Sequence, residues 1–247
     1  RQLGLSRYET AFQLFQKLRA GMVRPDKDRI GGEWTVEVDE SFVGGRTKGK
    51  GRGNTDAPLV IAAVEVRERI HPKSGRRNVY AGRLRLRHIV SRERAELEDF
   101  IKDSIEPGSD VRTDGWVGYD GIYRFRYRHD PMVLDGDHDK IEQHLPLIHI
   151  VFSNLKTWLR GTHHGVSAQH LQAYLNEYVF RFNRRFYPMT SFASVLGIGT
   201  VRRGPTYEGL YSGDYAHPNP DKPRRLRVSK VSDATRRRMS LKARRDQ

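Results

Sequence analysis

The sequence predicts an α/β fold, and the spacing of its apolar residues leads to that prediction. Residues 59–66, LVIAAVEV, form a nearly continuous apolar run, as in a central strand. Residues 34–39 and 78–90 alternate apolar and charged side chains, which is typical of half-buried strands. Residues 91–105 and 147–160 have the pattern of helices. We therefore expect three strands, a helix, a fourth strand, a mixed stretch and then helices.

The chain begins with a predicted helix over residues 5–22. Ser6 followed three residues later by Glu9 matches a capping box. The preceding Leu-Gly-Leu resembles the turn of a helix-turn-helix, so we expect residues 1–25 to be the end of a helix-turn-helix DNA-binding region. A simple packing helix explains the same pattern. Its apolar residues recur near helical spacing: Ala11, Phe12, Leu14, Phe15, Leu18 and Met22.

The second half of the chain contains a short strand and two helices. The stretch SDVRTDGW, residues 109–116, predicts a strand with Asp114 at its end. GTHHG, residues 161–165, is expected to break the helix before it. Ser167 then caps a long helix. The apolar face of that helix is expected to carry Leu171, Tyr174, Leu175, Tyr178 and Phe182.

Composition restricts the classes of function. The 247 residues carry a net charge of +15, which favours a polyanionic partner, most simply a nucleic acid. No cysteine is present, which excludes disulfides, zinc ribbons and thiol catalysis in this segment and fits a reducing compartment. No apolar run approaches the roughly 18 residues of a membrane span, and no signal peptide opens the chain. Because the chain starts at Arg1 in mid-pattern, we expect a fragment of a longer protein.

The C-terminal end is strongly basic. Residues 218–247 hold eleven cations and three acids with almost no apolar periodicity. We therefore expect residues 201–247 to form a basic, largely disordered tail.

Two aspartates are candidates for metal chemistry. Asp39 lies in the first predicted strand, and Asp114 lies at the end of the fourth. If these strands are neighbours, the carboxylates converge, and carboxylates are ligands that Mg²⁺ prefers. Capping or turn residues are the alternative explanation. A glycine-rich loop follows Asp39 and could follow a DNA backbone; its cations are Arg46, Lys48, Lys50 and Arg52.

Several long stretches resemble the insertion-sequence transposases of the DDE superfamily, more narrowly the ISXO-like group. They are VEVDESFVGGR, TDGW, HIVFSNLKTWLRGTHHGVS and LQAYLNEYVFRFNRRFYPMT. The resemblance implies an RNase H-like core over residues 30–200 and strand transfer that depends on two Mg²⁺ ions. Asp39 and Asp114 match the first two acidic positions of that family.

The third catalytic position departs from the family's usual Glu. That Glu lies on a helix, seven residues before a Lys or Arg, and this spacing from Lys156 selects His149. Asn154 is the competing candidate, because some relatives have Asn there. A neutral imidazole can bind a divalent metal or orient a water, although Mg²⁺ prefers oxygen, so Mn²⁺ is a possible cofactor. Glu40 is expected either to hydrogen-bond behind the ligands or to be surface charge.

The resemblance also implies the partners. Lys156 is expected to contact a phosphate beside the scissile bond, and Arg181, Arg184 and Arg185 are candidates for further phosphate contacts. The protein is expected to act on element ends and target DNA as a homo-oligomer in the bacterial cytoplasm, associated with the nucleoid, with no membrane partner. A zinc ribbon, common in the group, would lie upstream or be lost. The alternatives are an RNase H-like nuclease without strand transfer and an inactive DNA-binding remnant.

Overall fold

The described part of the chain folds into five strands and six α-helices. A computed structural model describes residues 4–23, 29–43, 57–132, 143–200 and 204–215. The strands are β1 (Val36–Phe42), β2 (Leu59–Ile70), β3 (Arg77–Ile89), β4 (Asp110–Thr113) and β5 (Arg128–Pro131). The helices are α1 (Tyr8–Ala20), α2 (Arg94–Ser104), α3 (Pro146–His163), α4 (Ala168–Asn183), α5 (Ser191–Gly199) and α6 (Tyr207–Ser212). Single 3-10 turns lie at Val117–Tyr119, Ile122–Phe125 and Pro188–Thr190.

The strands form one mixed sheet in the order β3-β2-β1-β4-β5. The β1–β2 and β2–β3 pairs are antiparallel, whereas β1–β4 and β4–β5 are parallel. A parallel neighbour requires a crossover connection, and α2 supplies it between β3 and β4. The crossover brings β4 to the free side of β1. The predicted α/β class and the predicted order of elements are confirmed.

Both faces of the sheet are covered, which explains the apolar run of β2. Leu59, Ile61 and Ala63 pack into the core formed with α2 and the 3-10 turns. The alternating residues of β2 pack instead into the core formed with α3 and α4; they are Val60, Ala62 and Val64. Because successive side chains of a strand point to opposite faces, a strand buried on both sides needs apolar residues throughout.

Helix α1 packs on α4 with a face that its apolar pattern does not predict. The buried residues of α1 are Gln16, Arg19 and Ala20, while the predicted apolar residues Leu14 and Phe15 remain about half exposed. The buried face includes a charged residue, Arg19, that has partners on α4.

An ion pair joins α1 to α4 across the interface. Arg19 Nε lies 2.9 Å from Glu177 Oε2, and its guanidinium lies 4.0 Å from the centre of the Tyr174 ring.

The capping box prediction is wrong, because Arg7 occupies the N-cap position and no side chain caps the helix. The helix therefore begins too late for Ser6 to serve as its cap.

The junction between α3 and α4 lies slightly later than predicted. Helix α3 continues through His163, and the chain turns at His164 and Gly165, whose φ angles are +53° and +121°. A positive φ is the conformation that ends helices, and glycine adopts it without strain. Ser167 occupies the N-cap position of α4 as predicted, but its side chain makes no capping hydrogen bond.

The chain's ends are only partly described. Of the predicted basic tail, residues 204–215 are described and contain α6, and the rest lies outside the described residues. Among the described helices, none has both the length and the apolar character needed to cross a bilayer.

Candidate active site

Asp39, in the middle of β1, lies beside Asp114, which directly follows the end of the neighbouring strand β4. β1 and β4 run parallel, with Val36 opposite Val111. Continuing that register places Asp39 level with Asp114, which directly follows the last residue of β4. Together with Glu40 they form a group whose carboxylate oxygens lie within 4.8 Å of one another. The adjacency of the first and fourth strands, on which the predicted convergence depended, is confirmed.

The cluster concentrates negative charge in a partly buried place. Burial, and after it the neighbouring charges of Glu40 and Asp114, raise the pKa of Asp39 from 3.8 to about 8. The backbone N–H of Glu40, which donates to Asp39 Oδ1 at 2.8 Å, and the guanidinium of Arg92 act in the opposite direction. A bound cation would remove the repulsion that keeps this proton on Asp39.

Glu40 is part of the cluster. Of the two expectations for this residue, surface charge is wrong. Its side chain is buried, and the hydroxyl of Tyr119 donates a short hydrogen bond to Glu40 Oε2. Its second oxygen, Oε1, forms an ion pair with Arg92 Nε at 3.3 Å. Burial raises the pKa of Glu40, and the hydrogen bond from Tyr119 opposes that rise. Tyr119 and Arg92 thus fix the direction in which this carboxylate points.

The alternate residues of β1 face helix α3 and set its position. Glu37 Oε2 accepts the backbone N–H groups of Leu147 at 2.9 Å and Ile148 at 2.8 Å. These groups belong to the first turn of α3 and have no partner within the helix. Burial raises the pKa of Glu37 to about 7, against the effect of the two N–H donors. The same carboxylate therefore holds the helix to the strand that carries Asp39.

This anchoring brings His149 and Lys156 to the cluster. His149 Nδ1 lies 4.0 Å from Asp39 Oδ2, and Lys156 Nζ donates to Ser41 Oγ at 2.8 Å. From Ile148 to Lys156 a helix rises about 12 Å, close to the span of about 13 Å from Glu37 to Ser41 along a strand. The helix and the strand can therefore meet at both ends of the site.

The environment of the two α3 side chains affects their protonation. Burial, followed by the charge of Lys156, lowers the pKa of His149, so the imidazole is neutral at neutral pH. Burial also lowers the pKa of Lys156, while the nearby Asp39 raises it. Asn154, the competing candidate for the third position, lies on the exposed face of α3. His149 therefore approaches Asp39, whereas Asn154 is exposed to solvent.

The side chains expected to bind DNA phosphates have different environments. Arg181 is 60 % exposed and lies 3.6 Å from Glu177. Arg184 stacks on Phe180 at 3.8 Å. Arg185 donates to the carbonyl oxygens of Phe182 and Ala81, and burial lowers its pKa, which indicates a structural role. The four cations of the glycine-rich loop lie outside the described residues: Arg46, Lys48, Lys50 and Arg52.

Arg185 also lies away from the carboxylates. In the sheet, Asp39 pairs with Ala62 of β2, and Ala62 pairs with Leu86 of β3. Arg185 contacts Ala81, which lies further along β3. Five strand residues separate Leu86 from Ala81, a distance of about 17 Å along the strand.

The donor atoms of the cluster suit a hard divalent cation. Mg²⁺ takes oxygen ligands, usually one or two carboxylates, and three carboxylates meet here. Arg92 forms an ion pair with Glu40 Oε1 of the cluster at 3.3 Å. On His149, the buried Nε2 atom has no hydrogen-bond partner. The residues present therefore fit the divalent ion that the resemblance implies.

Sequence patterns missed three residues of this site and left the role of Glu40 open between two expectations. Glu37, Tyr119 and Arg92 carried no motif, and Glu40 follows Asp39 directly, so strand alternation predicts that the two side chains diverge. Their roles depend on tertiary contacts, such as Tyr119 reaching Glu40 across 79 positions of sequence. The available signal was the density of acidic residues in VEVDE, where three of five residues are carboxylates.

Comparison with known proteins identifies the family. The model of the ISXO2-like transposase domain matches residues 29–183, from the approach to β1 to the end of α4. Neither the curated proteins nor the solved structures contain a match. The matched region spans more than half of the chain and includes every residue of the carboxylate cluster. The chain belongs to the ISXO2-like transposase domain family.

Proposed function

We propose that this transposase domain catalyses metal-dependent cleavage at the 3′ end of an insertion sequence and transfer of that end into target DNA. The observation that supports the proposal is the meeting of Asp39 and Glu40 of β1 with Asp114, which follows the neighbouring strand β4. An RNase H-like core is consistent with the fold, in which three antiparallel strands are followed by a helix and a parallel strand beside β1. The catalytic set that we propose is Asp39, Asp114 and His149.

The carboxylates would hold the divalent cation. Asp39 and Asp114 are its ligands in this proposal, with Mg²⁺ as the ion, Mn²⁺ as an alternative, and two ions in the complete site. Bound cations supply Lewis-acid activation of a nucleophile and neutralise charge on the leaving oxygen. Glu40 is held by Tyr119 and Arg92, so it can join as an oxygen ligand without reorganising.

The residues of α3 complete the site. His149 is neutral because of its lowered pKa, so one ring nitrogen can accept a proton or offer a lone pair towards Asp39. Lys156 keeps its ammonium beside Ser41 and serves as the contact to the phosphate adjacent to the scissile bond. In the first step a water attacks the scissile phosphorus and the bond from phosphorus to the 3′ oxygen breaks, which leaves a 3′-hydroxyl on the element end and a 5′-phosphate on the flanking strand. In the second step that 3′-hydroxyl loses its proton and attacks a target phosphodiester in line, and the 3′ oxygen of the target strand leaves and is protonated.

The proposed partners are DNA and further copies of the chain. A net charge of +15 favours binding to the phosphate backbone without reading of sequence. Assembly of a homo-oligomer on two element ends, in the bacterial cytoplasm and at the nucleoid, belongs to the same proposal. Exposed apolar side chains on α1 and α5 are available for contacts between copies: Phe15, Leu18, Phe192 and Leu196.

A strand-transfer assay tests the function. Purified chain is incubated with labelled duplex element ends and a supercoiled plasmid, in Mg²⁺, in Mn²⁺ and in chelator. The proposal predicts joined products that require metal and disappear in Asp114→Asn. Nicking without joining would support the nuclease alternative, and DNA binding with neither reaction would support the inactive remnant.

A further inference from the structure

A groove with an exposed tryptophan borders the carboxylate cluster. One wall is the loop between β3 and α2, and the other is the segment that follows Asp114. The groove is open to solvent and has a volume of ≈ 440 Å³. Its lining residues define what we name the Trp116 groove: Arg92, Glu93, Arg94, Trp116, Val117 and Gly118.

Each wall of the Trp116 groove is bonded to a different carboxylate of the cluster. The backbone N–H of Trp116 donates to Asp114 Oδ1 at 3.0 Å. On the opposite wall, Arg92 Nε lies 3.3 Å from Glu40 Oε1. The two walls are also joined to each other, because Trp116 Nε1 donates to the Arg92 carbonyl at 3.4 Å. A phosphate held at the cluster therefore has this groove as its direct neighbour.

The indole of Trp116 has a defined place on the groove wall but is not used for the core. It is 42 % exposed, and the adjacent Val117 is 57 % exposed. A Cβ atom on Gly118 would come within 2.9 Å of two indole atoms and 2.7 Å of a Leu97 methyl carbon. Glycine at this position thus allows the ring to lie against the turn.

The chemistry of the groove matches a nucleotide. An exposed aromatic face accepts a stacked base, and arginines beside it can neutralise the flanking phosphates. Arg94 is directed to the groove by its hydrogen bond to the Val117 carbonyl at 3.4 Å. Glu93 also lines the groove, which disfavours a site for phosphate alone. Inside a duplex both faces of each base are already stacked, so away from the duplex end only an unpaired base can stack on the indole.

We propose that the Trp116 groove holds one unpaired nucleotide next to the scissile phosphate, with its base stacked on the indole of Trp116. This inference rests on the proposed function, since it assumes that the carboxylate cluster acts on DNA. It adds a requirement that cleavage chemistry alone does not make, namely a local opening of the duplex beside the cleaved bond.

Binding of designed duplexes to the full chain tests this proposal. Three labelled DNAs contain the same duplex and differ at one end. The first has an overhang of three unpaired thymidines, the second an overhang of three abasic residues, and the third a blunt end. Binding is measured by fluorescence anisotropy at one salt concentration. We expect the wild type to bind the thymidine overhang about tenfold more tightly than the abasic one, from a single stacked base. We expect Trp116→Ala to bind both overhangs equally and Trp116→Phe to keep most of the preference.

Controls separate this proposal from folding and from the proposed function. Tyr123→Ala removes another exposed aromatic side chain, one that does not line the groove, and is expected to keep the preference. If Trp116→Ala retains the preference, or loses affinity equally for all three DNAs, base stacking on Trp116 is wrong. Asp114→Asn should keep the preference while losing metal-dependent cleavage. A wild type with the preference but without cleavage would overturn the proposed function and leave the groove in place.

Discussion

Replacing Asp39 by asparagine should stabilise the metal-free protein, although it removes a proposed catalytic group. The carboxylate of Asp39 is 13 % exposed, and burial together with Glu40 and Asp114 raises its pKa from 3.8 to about 8. Asparagine keeps the shape of the side chain, and its carbonyl oxygen can still accept the N–H of Glu40. The substitution therefore removes the repulsion while preserving the local hydrogen bond.

The size of the effect follows from the two pKa values. Between pH 3.8 and about 8 the folded protein binds the proton of Asp39 more tightly than the unfolded chain does. The free energy of unfolding of the wild type therefore falls as the pH rises through this window. Because a tenfold change in proton affinity corresponds to about 1.4 kcal/mol, the ionisation of Asp39 lowers stability by at most about 3 kcal/mol at pH 6 and about 5 kcal/mol at pH 8.

Urea unfolding in chelator at several pH values measures this effect. We expect Asp39→Asn to be more stable than the wild type by at least about 1 kcal/mol at pH 8, with a smaller gain at pH 6. Asp120→Asn, which changes an exposed carboxylate outside the cluster, should leave the free energy of unfolding nearly unchanged. Added Mn²⁺ should stabilise the wild type and not Asp39→Asn, because a ligand stabilises only the state that binds it.

Two results would refute this reasoning. One is a variant that is less stable than the wild type at pH 8, which would mean that the Asp39 carboxylate is stabilised where it lies. The other is a gain that does not grow with pH, which would mean that the effect does not come from ionisation.

Three further substitutions test the parts of the site. His149→Ala should reduce cleavage at least about 100-fold in Mg²⁺ and in Mn²⁺ while gel-shift binding of DNA persists; cleavage at the wild-type rate would exclude His149. Glu37→Ala should lower the free energy of unfolding by about 1–3 kcal/mol and slow cleavage, because it removes the acceptor for two N–H groups of α3. Glu37→Gln keeps an acceptor oxygen and should have nearly wild-type stability and cleavage rate. A glutamine variant as impaired as the alanine variant would contradict the anchoring role. Arg185→Ala should lower stability by about 1–3 kcal/mol and hardly change DNA binding by the folded protein; the opposite pattern would assign this side chain to DNA.

The sequence predicts those elements whose patterns are set by burial along one segment. The run of β2 is apolar on both faces because helices cover both sides of the sheet, so periodicity alone identifies a central strand. Helix α3 likewise shows its core face, and the spacing of His149 and Lys156 places them together on the face towards β1.

Patterns fail where contacts between distant segments decide the outcome. The buried face of α1 contains Gln16 and the ion pair of Arg19 with Glu177, while its more apolar side is exposed. Glu40 belongs to the carboxylate cluster because Tyr119 and Arg92 hold it there. The convergence of the two aspartates needed the pairing of β1 with β4, which no local pattern specifies.

A crystal structure of the chain soaked with Mn²⁺, with the anomalous signal of manganese, tests the central claim most directly. The account predicts manganese bound by carboxylate oxygens of both Asp39 and Asp114, and the density will also show whether Glu40 or His149 completes the shell. Manganese bound elsewhere, with these two aspartates free of metal, would contradict the proposed catalytic centre.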